Sequence, residues 1–400
     1  MKTVTLREIT LNITDGKHGD CEPAENSGYY FVSCKDVNNG TVDYANARQI
    51  SERAFRETHK RTQLEPNDIL ITNSGTIGRM ALVKDIPETY RTTFQKSVAI
   101  VKPDTSVVLP TYLYYKLQNC VTDFVNRSNG SAQKNLLLGT MREFQIELHE
   151  DFAEQERLSS ILAAYDNLVE NNQKQIKLLE EAAQRLYKEW FVDFHFPGYE
   201  DTPIVDGVPE GWEKATIDSR ISLLSGYAFK STQFDSSGEF KVVTIKNVKD
   251  GEFDGSNTNR IVSIPEKMPK HCVLADGDIL LSLTGNVGRT CIVNGNNYLL
   301  NQRVAKLQSN IPAFTYCLFR SSNMFDAMNN LANGAAQQNL SPIRTGKISI
   351  VFPADNLLVE FERIVGSMIS KMLSLRKQCD LLIWTRDRLL PKLMSGETIN

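Results

Sequence analysis

The chain is written twice, and that repetition constrains its fold more than any composition figure. NDILITNSGTIGRMALV at 67–83 aligns without gaps on GDILLSLTGNVGRTCIV at 277–293. Asp68, Ile69, Leu70, Gly75, Gly78, Arg79 and Val83 return as Asp278, Ile279, Leu280, Gly285, Gly288, Arg289 and Val293 at one constant offset. Upstream, FVSCKDVNNGTVD (31–43) matches VVTIKNVKDGEFD (242–254). Downstream, GSAQKNL (130–136) matches GAAQQNL (334–340). The order is kept in both halves, and each half then enters a long helical stretch through Glu156–Arg157 or Glu362–Arg363. Chance does not keep four blocks collinear. The sequence predicts a duplicated unit of globular part plus helix.

The first helical stretch, 151–196, has no Gly or Pro and is rich in good helix formers. Asp151 with Glu154 fits a capping box at its start, and Pro197–Gly198 mark its stop. Apolar residues recur on alternating 3,4 spacing: Leu162, Tyr165, Val169, Ile176, Leu179, Ala183, Leu186 and Trp190, interrupted only by Asn172. A repeat averaging 3.5 residues holds one stripe of a helix against a partner helix, and a rod of this length spans roughly 60 Å. A second stretch, from about 357 to 390, carries the same spacing in Val365, Met368, Met372, Leu375, Cys379, Leu382 and Leu389. Arg386 is out of pattern there, and Pro391 ends or kinks the helix. Each stripe could pack on a globular core. Two such rods in one chain favour a mutual coiled coil.

Within each unit, short β-rich runs alternate with turn signals: 29–35 and 242–246, 68–72 and 278–283, 98–101 and 304–307. Segments 111–126 and 314–330 read as helices. The expected fold class is α+β: two similar β-rich domains separated by two long helices in an antiparallel coiled coil, a pseudo-two-fold internal repeat. The expected bounds are 1–150, first domain; 151–196, central helix; 197–355, second domain, with 197–212 as a Pro/Gly-rich linker; and 356–400, C-terminal helix.

Composition is that of an ordinary globular protein, 41% hydrophobic and 23% charged. No apolar run approaches a membrane span, and MKTVTLREIT is neither a signal nor a transit peptide. Seven cysteines lie singly at 21, 34, 120, 272, 291, 317 and 379, without a CxxC pair, which fits a reduced cytoplasm. Five scattered histidines offer no zinc spacing. A net charge of −3 does not announce a nucleic-acid binder, so any basic face must be local or lent by a partner. Two copies of a domain on a stiff rod suit a repetitive object such as B-DNA, whose half-sites lie about one turn apart. The same shape also suits a tether or a dimerisation scaffold.

The segments ENNQKQIKLLEEAAQRLYKEWFVDF (170–194), VPEGW (208–212) and TRDRLLPKLMSGETI (385–399), with the duplicated architecture, resemble the specificity (S) subunit of type I restriction–modification enzymes. The resemblance runs over essentially the whole chain. It implies a non-catalytic reader of double-stranded DNA, each domain taking one half of a bipartite target. Two methyltransferase (M) subunits, which use S-adenosylmethionine, would dock on it, joined by restriction (R) subunits that use ATP and Mg. No cofactor would belong to this chain.

Each candidate contact has two readings. The glycine turns 74–79 and 284–289 lack the spacing and lysine of a nucleotide P-loop. They are either tight turns needing positive φ at glycine, or places where Ser74, Thr76, Arg79, Thr284, Asn286 and Arg289 meet DNA. Gln133, Lys134 and Asn135, with Gln337, Gln338 and Asn339, are the amide and amine types that read adenine and guanine, but such amides also cap turns. Lys17 and His18, with Tyr227 and Lys230, occupy the first loop of each unit and are contacts or plain surface. Gln95 and Lys96, with Gln302 and Arg303, precede a matched Val–Ala pair. Selectivity is expected where the copies differ: Ser74 against Thr284, Thr76 against Asn286, Lys134 against Gln338. The rods' outer faces carry Glu170, Lys174, Lys177, Glu180, Glu181, Arg185, Lys188, Arg376, Lys377, Asp380 and Arg388. These are a solvated surface or, by the resemblance, part of the region where M subunits attach.

An autonomous enzyme would need a motif that is missing here. The sequence has no Asn/Asp-Pro-Pro-aromatic tetrad, no methyl-donor glycine loop, no acidic-x-Lys after Pro103–Asp104 and no Walker pair. Two rivals stand against the DNA reader. One is a non-catalytic coiled-coil tether binding proteins at both ends. The other is the specificity half of a fused nuclease–methylase, disfavoured because the chain begins and ends at unit boundaries.

Overall fold

The computed structural model describes residues 1–38, 40–130, 134–332 and 338–395. Two long helices, Phe152–Phe191 and Asp355–Ser395, organise the chain. Two compact units form: Met1–Leu168 with the C-terminal stretch from Leu382, and Val169–Leu381. Each unit therefore contains one segment of both long helices.

The first unit holds a four-stranded antiparallel sheet in the order Thr10–Asp15, Val98–Pro103, Ile69–Thr72, Met80–Leu82. Strand Tyr30–Val32 runs parallel to Thr92–Phe94, and Lys2–Thr5 pairs with Gln145–Leu148. The second unit repeats this plan strand for strand. Its sheet order is Ile221–Ser225, Val304–Ser309, Ile279–Ser282, Thr290–Ile292. Phe240–Val243 runs parallel to Tyr298–Leu300, and Glu213–Thr216 pairs with Ser349–Phe352. The central strands are buried along their whole length, and apolar up to a closing Thr72 or Ser282, because both faces are covered.

The repeated aspartate of the NDIL/GDIL block has a structural task. Asp68 takes the backbone N–H of Glu65 (2.9 Å) and the Lys102 ammonium (2.7 Å). Asp278 takes the N–H of Ala275 and Lys306, each at 2.8 Å. The two lysines stand two positions apart on equivalent strands, hence on the same face.

The seam predicted from 3,4 spacing is the packed one. Leu162, Val169, Asn172, Ala183 and Trp190 are buried, as are Val365, Met372, Leu375 and Cys379. The helices run antiparallel. In the second unit Val169 meets Cys379, Asn172 meets Gln378, and Trp190 stacks near Phe361. In the first, Leu158 and Leu162 share a core with Leu393 and Met394. Both seam irregularities have partners. The Asn172 amide donates to Gln378 (3.5 Å). Arg386 donates to Asp166 (2.5 Å), which also accepts the Tyr115 hydroxyl (2.6 Å). An equivalent cluster pins the second head to its helices: Glu180 accepts from the Tyr316 hydroxyl (2.8 Å) and from Arg320 (3.1 Å). Burial and the neighbouring carboxylate hold both tyrosine hydroxyls well above their ordinary range, so they stay protonated and donate to that carboxylate.

Several expectations need correction. The central helix ends at Phe191, before Pro197. Asp193 N–H donates to the Lys188 carbonyl (2.9 Å), and Phe194 takes a left-handed conformation (φ 59°) that turns its ring edge-on to Trp212. Apolar packing of Phe194 and Phe196 on Trp212 wins over five more helical residues. At its start Asp151 accepts from Ala153 N–H (3.0 Å), but Glu154 pairs with Arg157 instead of completing a capping box. The C-terminal helix runs through Pro391 to Ser395. Segments 111–126 and 314–330 are each two helices, broken at Cys120 and Ser321; Ser321 caps the second with its hydroxyl on Met324 N–H. Of the charges read as the rods' outer faces, four instead bind the second head. These are Glu180, Arg376 to the Gly251 carbonyl (2.7 Å), Lys377 to Asp276 (2.6 Å), and Asp380 to Asn294 (2.9 Å). Helical periodicity marks a face as polar but does not say whether a neighbour covers it.

Candidate nucleic-acid interface

Four stretches far apart in sequence meet at one edge of the first unit's sheet. Strand Thr10–Asp15 runs into a loop that lies against residues 94–97: Lys17 N–H donates to the Phe94 carbonyl (2.8 Å), and Lys96 N–H to the Lys17 carbonyl (3.1 Å). A Cβ on Gly16 would sit 1.9 Å from the Phe94 oxygen, so only glycine permits this approach. Leaving Ile69–Thr72, Asn73 N–H donates to Ser97 (3.1 Å), and its carbonyl accepts Leu136 N–H (2.8 Å), setting Ser74 against Asn135. Lys17, Ser74, Gln95, Lys96 and Asn135 thus converge.

The second unit builds the same junction. Tyr227 N–H donates to Leu300 (2.9 Å), Gln302 N–H to Tyr227 (3.0 Å), Leu283 N–H to Arg303 (3.0 Å) and Leu340 N–H to Leu283 (2.7 Å). Thr284 lies against Asn339, and a Cβ on Gly226 would sit 2.2 Å from the Asn301 oxygen, again an approach that requires glycine.

The glycine turns projecting from these junctions are closed by a hydroxyl. Thr72 Oγ1 accepts Arg79 N–H (2.9 Å) and donates to the Thr76 carbonyl (2.5 Å). Ser282 Oγ does the same with Arg289 N–H (3.1 Å) and the Asn286 carbonyl. Gly75, Gly78, Gly285 and Gly288 all have positive φ, between 72° and 90°. The tight turn leaves the side chains of Thr76, Arg79 and Asn286 exposed and Arg289 half-buried, so turn and contact are compatible roles for one element.

Register refines the comparison of the copies. Lys17 corresponds to Tyr227, Gln95 to Asn301, Lys96 to Gln302, and Ser97 to Arg303. The pairs Gln95–Lys96 and Gln302–Arg303 are therefore offset by one residue. Two buried positions of the first unit change as well: Asn73 corresponds to the buried Leu283, and Asp15 to the exposed Ser225.

In the first unit the junction borders a cleft of about 390 Å³ that includes His18, Ser74, Lys96 and Asn135. Its floor holds two residues that the sequence reading passed over, Asp15 (7% exposed) and Asn73 (4%). Asp15 is bridged by Arg61, from the helix Glu52–Thr62 that has no counterpart among the described residues of the second unit, and by His18 Nε2 (3.2 Å). Asn73 against Leu283 was visible in the aligned block, but only the fold shows that both face inward.

Other predicted residues lie apart or outside the description. Gln133 and Gln337 fall outside the described residues; Lys134 and Gln338 are exposed beside Asn135 and Asn339. Lys230 precedes a short turn of helix, its N–H donating to Gln233 (2.8 Å). Among the described residues, Arg79, Lys96, Lys134, Lys230, Arg289 and Arg303 form no ion pair, whereas Arg48, Arg53, Arg56 and Arg61 each hold a carboxylate. No group of three His, Cys, Asp or Glu among the described residues could hold a metal, and no described helix is long and apolar enough to cross a membrane.

The duplicated head, the helix pair and the repeated loop junction define a class, and comparison with known proteins supplies the family. The family model described as the type I restriction modification DNA specificity domain matches residues 13–181 and again 209–356. The chain belongs to that family, as a type I restriction–modification specificity subunit. It is 26% identical to the type I restriction enzyme MjaIX specificity subunit of Methanocaldococcus jannaschii, over 92% of this chain and 86% of that one. It is 22% identical to the HindI specificity subunit of Haemophilus influenzae, over 74% and 79%. The crystal structure of a type I S subunit from M. genitalium shares the fold, with a TM-score of 0.57 at 15% identity, covering 98% of this chain and 96% of that one.

Proposed function

We propose that the chain reads DNA sequence for a type I restriction–modification complex in the cytoplasm. The first domain, about 1–150, takes one half of a bipartite target, and the second, about 197–355, takes the other. The chain itself is non-catalytic and holds no cofactor. Two M subunits carrying S-adenosylmethionine methylate adenine, and R subunits using ATP and Mg restrict.

One observation carries this reading. The same four loop segments converge in both units, and among the described residues they and the glycine turns present exposed or half-buried amides and cations that form no ion pair: Lys96, Lys134, Asn135 and Arg79 in one, Arg289, Arg303 and Asn339 in the other. Unpaired Lys and Arg suit phosphates, and Asn, Gln and Arg suit base edges. The copies share a scaffold but differ in side chains, as two readers of different half-sites should. The slightly acidic total charge fits a clamp completed by M subunits.

Footprinting of the purified chain, alone and with M subunits, tests it. Weak binding alone and salt-sensitive protection of a two-part site with M are expected. Equal affinity for all sequences in the complex refutes it, and no footprint under any partner condition favours a protein tether.

A further inference from the structure

Building on that reading, we propose that the cleft of the first unit is a base-edge subsite. Asn73 sets its preference by accepting a hydrogen bond from an exocyclic amino group, the major-groove donor of adenine and cytosine.

Asn73 is almost wholly enclosed, yet its side-chain oxygen has no hydrogen-bond partner among the described residues. Buried polar atoms in folded proteins are nearly always paired, so an enclosed amide oxygen left without a partner in a residue that lines a cleft marks a position that lacks its donor. Its setting matches that task. The Asn73 backbone is fixed on both sides, to Ser97 and Leu136, so the side chain is not free to leave. Asp15 adds a second acceptor to the floor, oriented by Arg61 and His18. Lys96 and Asn135, both exposed at the rim, can meet a phosphate or a neighbouring base.

The second unit makes the contrast. There the corresponding positions are the buried Leu283 and the exposed Ser225, so the amide oxygen and the carboxylate are both absent from an otherwise equivalent junction. A duplicated reader of two different half-sites must differ somewhere facing the bases, and Asn73/Leu283 is a buried, scaffold-equivalent difference at the right place.

The test uses the full chain assembled with its M partner. Competition binding is measured against duplexes in which each base pair of the first half-site is varied in turn. Wild type should prefer adenine or cytosine over thymine or guanine on one strand at one position. Asn73→Leu should lose that preference by on the order of 10-fold, with the second half-site read as before. Leu283→Asn should alter only the second half-site. Should Asn73→Leu fail to fold, as judged by thermal melting, Asn73→Ser takes its place and decides the matter. An unchanged preference in the variant, or a wild-type preference for thymine or guanine there, overturns the subsite. Absence of any sequence preference in the wild-type complex overturns the DNA-reading function itself.

Discussion

Arg386 occupies a seam position where the heptad pattern asks for an apolar residue, and replacing it tests what holds the first unit to its helices. Its guanidinium and the Asp166 carboxylate are 22% and 27% exposed, and the carboxylate also takes the hydroxyl of Tyr115, which is 2% exposed. Arg386→Leu removes the cation and leaves a mostly buried carboxylate with one neutral donor. Breaking a fully buried pair costs about 3–5 kcal/mol, while an exposed pair is worth about 0–1 kcal/mol. With a quarter of each side chain in water, about 2 kcal/mol is expected, partly offset by the new leucine. For a unit of this size that lowers the melting temperature by roughly 4–8 °C. The double variant Asp166→Leu/Arg386→Leu removes both charges and completes the stripe, so it should recover to within about 1 kcal/mol of wild type. Thermal melts of wild type, both single variants and the double give the coupling directly. A single variant as stable as wild type, or a double as unstable as the single, refutes the view that the cost is an orphaned charge.

Gly16→Ala should lower stability by about 1–3 kcal/mol or prevent soluble expression, because its Cβ meets the Phe94 carbonyl at 1.9 Å; Gly139→Ala, with nothing within 4 Å, is the control. Lys96→Gln, which installs the second unit's residue, should weaken DNA binding by the complex about equally across sequences and reduce the logarithmic salt slope by about 1; an unchanged slope removes Lys96 from the phosphate contacts. Glu362 accepts the N–H groups of Ala313 (3.0 Å) and Phe314 (2.8 Å) at a helix start, yet burial pushes its carboxyl above the usual range. A raised folded pKa means its contribution is full below the unfolded value of about 4.3 and is lost as pH rises through the folded value. Glu362→Gln should therefore flatten the rise in melting temperature on acidification above that value, and a pH profile identical to wild type contradicts the assignment.

Periodicity and repetition in the sequence determined the duplication, the long helices, their shared stripe and the α+β heads. Those properties depend on local spacing, which a chain carries in its order. Six strands were legible for the same reason, within about three residues at either end, whereas others such as Thr10–Asp15 and Gln145–Leu148 were not. The helix Glu52–Thr62 and the break at Ser321 rest on local serine caps, Ser51 on Ala54 N–H and Ser321 on Met324 N–H, that hydrophobic spacing does not reveal, whereas the early end at Phe191 depends on aromatic packing against Trp212, a neighbour more distant in sequence. The same limit shaped the site. Residue types and their recurrence nominated the glycine turns and the GSAQKNL and GAAQQNL blocks, whereas the convergence of four loops, the one-residue offset of Gln302 and the buried Asn73 depend on strand register. Arg386 and Glu180 show the rule most clearly: each looked like a misplaced or solvent-facing charge until the fold brought Asp166 to one and Tyr316 with Arg320 to the other. A side chain's role follows from the dielectric and the partners around it, and only tertiary packing sets those.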